Sequence, residues 1–149
     1  FTLIELLVVV AIIGILAAVG TVAYTGYTAS AKKNASATMH SQAAKYLAAE
    51  IQKCTLNSGG TAMEGNIDCD GTDGGTDDPT GANYAAHYVT VANVKNPHTP
   101  SQAGATVGAV PTAGGVTGLL YLTVDDEDIV LTMIPEDGAD TLSVTVTVE

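Results

Sequence analysis

The sequence predicts an α+β protein, in which a long N-terminal α-helix, apolar in its first half and amphipathic in its second, packs on a C-terminal antiparallel β-meander. Three observations indicate this fold. An almost unbroken apolar run extends from Phe1 to Tyr24, no proline occurs in residues 28–53, and β-branched runs separated by turn residues occupy residues 84–149. Helix followed by consecutive strands is typical of the α+β class.

The length of the chain fits one compact domain attached to the apolar helix. With 149 residues, it suits a single domain. We divide it into an apolar helix at residues 1–27 and a globular domain at residues 28–149. Within the domain we expect an amphipathic helix half at 28–53, an acidic, cysteine-containing loop at 54–83 and the antiparallel sheet at 84–149.

The charge of the chain is negative and unevenly distributed. The net charge is -11 with five basic residues, all lysines, which argues against nucleic-acid binding because phosphates require a basic patch. Four of the lysines lie in the helical half, whereas the acids concentrate after Glu50. This asymmetry either attracts neighbouring copies or keeps the outer surface soluble, and we expect solubility to be the larger effect.

The apolar run is long enough to cross a membrane, and Glu5 is its one acid. As a helix, the run would be about 36 Å long, compared with about 30 Å for the hydrocarbon core of a bilayer. A carboxylate inside such a helix costs about 2.5–3.5 kcal/mol unless it has a partner. The nearest lysine, Lys32, is about 40 Å away along a helix.

The remaining candidate partner of Glu5 is the α-amino group of Phe1. A chain that starts with Phe indicates that a leader has been removed. Within one helix the amine and Glu5 would be about one turn apart, and staggered copies could also bring them together. Glu5 therefore has a candidate partner either in its own chain or in a neighbour.

The residues from Phe1 to Leu6, Phe-Thr-Leu-Ile-Glu-Leu, followed by an Ala/Ile/Val/Leu run, resemble the mature N-terminus of a type IV pilin. The resemblance extends to about Tyr27. It implies cleavage and N-methylation at Phe1 by a prepilin peptidase, storage in the inner membrane, and polymerisation of identical subunits into an extracellular filament with these helices in its core. It also implies that Glu5 pairs with the Phe1 amine of a neighbouring subunit.

Two features qualify the resemblance. A signal peptide or simple anchor is the alternative, but a signal peptide carries basic residues first, and this segment carries none. Many type IV pilins also carry a proline about where Val22 stands. Gly14 and Gly20 weaken the helix by about 1 kcal/mol each relative to alanine, so local unwinding between them on assembly is expected.

The second half of the helix is predicted to cover the sheet with one face. The apolar stripe comprises Ala35, Met39, Ala43, Leu47, Ile51 and Cys54, and the residues expected to face elsewhere are Lys32, His40, Gln42 and Lys53. Two irregular loops follow, an acidic one after Cys54 and a second at about residues 95–115. The predicted strands are 87–94, 119–124, 129–134 and 142–148.

Cys54 and Cys69 are the only cysteines, and in an exported chain such a pair indicates a disulfide. Free thiols and a shared metal site are the alternatives, although the spacing is unlike that of zinc ligands. Many type IV pilins close a C-terminal loop with their disulfide. This chain has no cysteine there, so an adhesive role for such a loop is not carried over.

The acidic loop suggests a calcium site. Its five aspartates, interleaved with Gly and Thr, are Asp68, Asp70, Asp73, Asp77 and Asp78. They offer the hard oxygen ligands that Ca²⁺ prefers. The spacing differs from an EF-hand because Pro79 stands where the bidentate Glu would be. A solvated acidic loop is the alternative.

The motifs favour a structural protein over an enzyme. The chain contains no G-x-S-x-G motif and no phosphate-binding Gly-rich turn before a helix. The leading hypothesis is a major pilin that forms a surface pilus for adhesion or twitching motility. The alternative is a pseudopilin of a type II secretion or DNA-uptake machine, and a third is a monomeric calcium-binding surface protein anchored by its helix.

Overall fold

The computed structural model describes residues 2–71, 77–110 and 115–148. It confirms the α+β class. The elements, in chain order, are helix α1 (Leu3–Leu56), strand β1 (Thr61–Ala62), a 3₁₀ turn (Met63–Gly65), β2 (Ile67–Asp68), helix α2 (Gly81–Val91), β3 (Ala105–Val107), β4 (Leu120–Asp125), β5 (Asp128–Met133) and β6 (Leu142–Val146).

The chain divides into two compact units, residues 1–31 and residues 32–149. In the first unit, the apolar side chains of α1 are exposed, from Leu3 through Val22. One window of α1 is apolar and long enough to cross a membrane, judged by length and composition. This part of the helix therefore has an apolar surface that its own chain leaves uncovered.

The second unit contains a four-stranded sheet in the order β3-β4-β5-β6. The last three strands form the predicted antiparallel meander, with Leu120 opposite Met133 and Ile129 opposite Val146. The prediction of an entirely antiparallel sheet is wrong, because β3 pairs with β4 in parallel. Strand β3 is only three residues long and lies in the Gly- and Pro-rich segment that we expected to be a loop, where no apolar period marks it.

The second half of α1 packs on this sheet, as predicted, and Met39, Ala43, Leu47 and Ile51 of the predicted stripe are buried. Ser36 is buried instead of Ala35, and His40 and Glu50 are also buried. His40 was expected to face away from the core. Its Nε2 lies 3.2 Å from the carbonyl oxygen of Leu131, and this hydrogen bond makes burial of the imidazole acceptable.

The prediction of a strand at residues 87–94 is wrong, because this segment belongs largely to α2. The helix begins after Thr80, whose hydroxyl accepts a hydrogen bond from the Asn83 N–H at 3.3 Å. Tyr84 and Tyr88 are buried one turn apart on the inner face. The β-branched and aromatic residues of this short segment fit both periods, so periodicity alone could not decide between helix and strand.

The start of α2 packs tightly against the turn between β4 and β5. A Cβ at Gly81 would lie 2.2 Å from the carbonyl oxygen of Glu127, so only glycine permits this approach. Asp126 and Glu127 form the two-residue connection between β4 and β5, and Asp126 adopts a positive φ of 56° in it.

The segment between the cysteines is more ordered than the irregular loop we expected. Strands β1 and β2 pair there in antiparallel fashion. Met63 and Ile67 are fully buried, and they attach the segment to the core. Both Met63 and Glu64 have positive φ angles, 51° and 58°, a conformation that costs free energy for residues with side chains.

Candidate functional site

Helix α1 begins with a capping box formed by Thr2 and Glu5. The Thr2 N–H donates to Glu5 Oε2 at 2.8 Å, and the Glu5 N–H donates to Thr2 Oγ1 at 3.4 Å. These are the reciprocal hydrogen bonds of a T-x-x-E motif at the start of a helix. The motif is readable in the sequence from Thr2 and Glu5 alone.

The capping box gives the Glu5 carboxylate hydrogen bonds within its own chain but no opposite charge. Glu5 makes no ion pair within the described residues. Phe1 lies outside the described residues, so pairing of its amine with Glu5 stays a prediction. A carboxylate that is hydrogen-bonded but not neutralised can still attract a cation from another chain.

The apolar part of α1 is a continuous helix through Gly14 and Gly20. A Cβ added at either glycine would meet nothing within 4 Å, so neither is required by packing within the subunit. Local unwinding at these glycines on assembly stays a prediction.

The threonines near the end of the apolar segment satisfy their hydroxyl groups within the helix. Thr21, Thr25 and Thr28 each donate to the backbone carbonyl three residues earlier, at 2.9–3.1 Å. Because these donors are satisfied locally, this stretch can enter an apolar environment without unpaired hydroxyl donors.

A disulfide between Cys54 and Cys69 ties the end of α1 to the acidic segment, with the Cα atoms 4.8 Å apart. The buried carboxylate of Glu50 adds a second connection. Its Oε2 accepts from the Met63 N–H at 2.6 Å, and its Oε1 accepts from Lys53 Nζ at 2.5 Å. The hydrogen bond to Glu50 raises the pKa of Lys53. No local sequence pattern marks Glu50 for this role.

The carboxylates of two predicted calcium ligands, Asp68 and Asp77, have partners within the protein. Asp68 is buried, and its Oδ1 accepts from the Asp70 N–H at 3.4 Å. Asp77 Oδ2 lies 2.8 Å from Nε2 of His87 on α2. This side-chain contact between Asp77 and His87 attaches the acidic segment to helix α2.

Asp78 and Asp73 complete the set of predicted ligands. The carbonyl oxygen of Asp78 accepts from the Asn83 side chain at 2.9 Å, and Asp73 lies outside the described residues. Within the described ranges, no three His, Cys, Asp or Glu residues are arranged to hold a metal ion. Calcium binding stays a prediction from the sequence.

Comparison with known proteins gives one match, at the start of the chain. Residues 1–21 match the prokaryotic N-terminal methylation motif. The match covers the capping box and most of the exposed apolar segment. No curated protein and no solved structure matches the chain significantly.

The matched motif defines a class of protein whose N-terminus is cleaved and methylated by a prepilin peptidase. It is typical of type IV pilins and pseudopilins, which are structural subunits of pilus-type filaments and not enzymes. The fold agrees with that class, since a long N-terminal helix followed by a C-terminal sheet is a pilin-like arrangement. The apolar helix suggests membrane anchoring before assembly.

Proposed function

We propose that this chain is the major pilin of a type IV pilus, an identical-subunit filament on the cell surface that serves adhesion or twitching motility. One observation carries the proposal. The methylation motif at residues 1–21 opens a helix whose apolar side chains are exposed throughout the first unit. A surface of this kind needs either lipid or other copies of the same helix to cover it.

The exposed apolar segment serves the subunit first in the membrane and then in the filament. Before assembly, the segment lies in the inner membrane, where its length matches the hydrocarbon core. During assembly it exchanges lipid contacts for contacts with other helices, and this exchange gives only a modest gain because lipid is as apolar as leucine. Polar groups must therefore determine which contacts form.

Glu5 supplies such a group. In the subunit, the Thr2 N–H holds the carboxylate at the helix start. An incoming subunit whose Phe1 amine reaches this carboxylate would neutralise a charge that is costly in an apolar environment. A subunit out of register would leave both charges unpaired. The pair therefore selects the register more than it adds stability, as polar groups do in other packed helices.

Electron microscopy of fibres sheared from cells, with N-terminal sequencing of the fibre protein, tests the proposal. We expect long surface fibres composed of this chain and beginning at N-methylated Phe1. Short periplasmic fibres would instead indicate a pseudopilin. A processed protein that stays in the membrane and forms no fibre would contradict the filament function altogether.

A further inference from the structure

The charges of the globular unit are only partly used within the subunit. Lys33 pairs with Glu136 at 2.9 Å and Lys53 pairs with Glu50 at 2.5 Å. Within the described residues, the other three lysines, Lys32, Lys45 and Lys95, make no ion pair. Three of the five lysines, unpaired within the described part of the subunit, are thus available for contacts with another molecule.

Lys45 is distinguished from the other two lysines by its position at a groove. The groove lies between α1 and the edge strand β6, has a volume of about 490 Å³, and is lined by Lys45, Ala48, Ile51, Val144 and Val146 among others. Most of its lining surface is apolar, and among the described residues that line it, only Lys45 is charged. We call it the α1–β6 groove.

A complementary surface lies elsewhere on the same unit, at the connection between β4 and β5. This acidic turn, residues 125–128, carries four carboxylates in succession, and none of them makes an ion pair within the described part of the chain. Asp125, Asp126 and Glu127 are exposed, as is the neighbouring Val124. The close packing of Gly81 against the Glu127 carbonyl holds the backbone of the turn in place.

We propose that the α1–β6 groove of one subunit receives the acidic turn of a second copy. Lys45 pairs with a carboxylate of the turn, and Val124 contacts the apolar side chains that line the groove. The opposite charges and the adjacent apolar surfaces on both sides support this partner. The inference rests on the proposed function, because it supposes that copies of this chain assemble.

The two surfaces are different, so the contact between them is heterologous. Each subunit keeps a free groove at one side and a free acidic turn at the other. Repetition of such a contact produces an open helical filament unless the rotation happens to close a ring. The contact would thus orient the globular units, a task for which non-directional packing of apolar helices is poorly suited.

Charge-reversal variants of the full chain, each expressed as the only subunit, test the pairing. A single exposed ion pair contributes little, but Lys45→Glu places an acid against the whole acidic turn, and such like-charge contacts are strongly unfavourable. We expect Lys45→Glu to reduce sheared surface fibres by about tenfold or more, and the turn variant Asp125→Lys, Asp126→Asn, Glu127→Lys, in which the turn becomes net positive, to do the same. The combined variant should restore fibres to within about twofold of the parent, because the opposite charges meet again.

Lys95→Glu is the matched control. It makes the same change in net charge at an exposed lysine that does not line the groove, and fibre numbers should stay at the parental level. Equal fibre numbers for Lys45→Glu and Lys95→Glu, or failure of the combined variant to recover, would overturn the pairing. Circular dichroism of each variant in detergent confirms that the domain is folded.

Carbodiimide cross-linking of fibres gives a direct readout. Fibres assembled from a mixture of ¹⁴N- and ¹⁵N-labelled subunits should yield mixed-label peptides that join Lys45 to residues 125–128. Cross-links from Lys45 only within one label, or to another protein, would refute the contact between copies. If the parental chain forms no fibres at all, the proposed function fails; parental fibres with normal Lys45 variants would refute this inference alone.

Discussion

The two parts of helix α1 are covered in different ways. From Leu3 to Ala31 every side chain of the helix is exposed except that of Thr28, which is half-buried. The side-chain hydrogen bonds here join residues three positions apart, as in the Thr2–Glu5 capping box. From Lys32 to Leu56 one face is buried against the sheet and α2. The apolar surface of the first part is therefore left uncovered by its own chain, whereas the inner face of the second part is covered by contacts within the chain.

Removal of a buried side chain from the second part should have the largest effect on domain stability. Leu47→Ala should destabilise the domain by about 2–5 kcal/mol, because Leu47 is fully buried and its truncation leaves a cavity. Leu7→Ala is the matched control, since Leu7 is exposed, and it should leave domain unfolding unchanged. Thermal or denaturant unfolding in detergent measures both, and equal destabilisation by the two variants would contradict the distinction between the two parts.

Substitution of Glu5 tests the proposed role of the first part of the helix in fibre assembly. Glu5→Leu should be processed and inserted in the membrane but reduce fibre assembly by about a hundredfold, since it leaves a neighbour's amine unpaired at a cost of about 2.5–3.5 kcal/mol. Glu5→Gln separates the two roles of this residue: glutamine can keep the capping box but lacks the charge. It should assemble poorly, whereas Glu5→Asp should retain some assembly. Fibre counts after shearing provide the measurement, and normal fibres from Glu5→Leu would refute the pairing.

The disulfide should matter only to the second part. Its 15-residue separation corresponds to a stabilisation of about 3 kcal/mol in the chain-entropy model. The Cys54→Ser, Cys69→Ser double variant should lose about that much domain stability while still inserting in the membrane. Intact-mass measurement with and without reductant checks the bond itself. Two alkylatable thiols in the folded, unreduced protein would show that it does not form.

Alkaline pH should lower the stability only of the domain that contains the second part of the helix. Burial raises the pKa of Tyr88 from 10.0 to about 12, with a smaller contribution from Tyr46. Above pH 10 the unfolded chain loses this proton while the folded chain keeps it, so the stabilisation is complete below pH 10 and is lost as the pH rises towards 12. The loss attributable to Tyr88 is about 2–3 kcal/mol.

Tyr88→Phe should therefore reduce the alkaline loss of stability between pH 10 and 12. Tyr27→Phe removes an exposed tyrosine from the first part of the helix and should leave the pH profile unchanged. Denaturant unfolding at a series of pH values gives the profile. Parallel profiles for the parent and Tyr88→Phe would show that burial of this hydroxyl does not govern the response.

Several features were determined by the sequence alone because they depend on local patterns. The apolar run and its single acid predicted a helix of membrane length, and the methylation motif at residues 1–21 agrees with the resemblance drawn from Phe1 to Leu6. The β-branched run at residues 142–148 predicted a strand, and the structure places β6 (Leu142–Val146) there, with Val146 buried and Ser143 and Thr145 exposed. The capping box was equally local and could have been read from Thr2 and Glu5.

Other features were decided only by the tertiary structure. The segment that forms α2 fits both helical and strand periods. It forms a helix because Thr80 caps the N-terminus and because Tyr84 and Tyr88 are buried against the core. Burial of Glu50 depends on the Met63 N–H, thirteen residues away. Such contacts join residues that no local pattern relates, so their free energies enter only when the chain has folded.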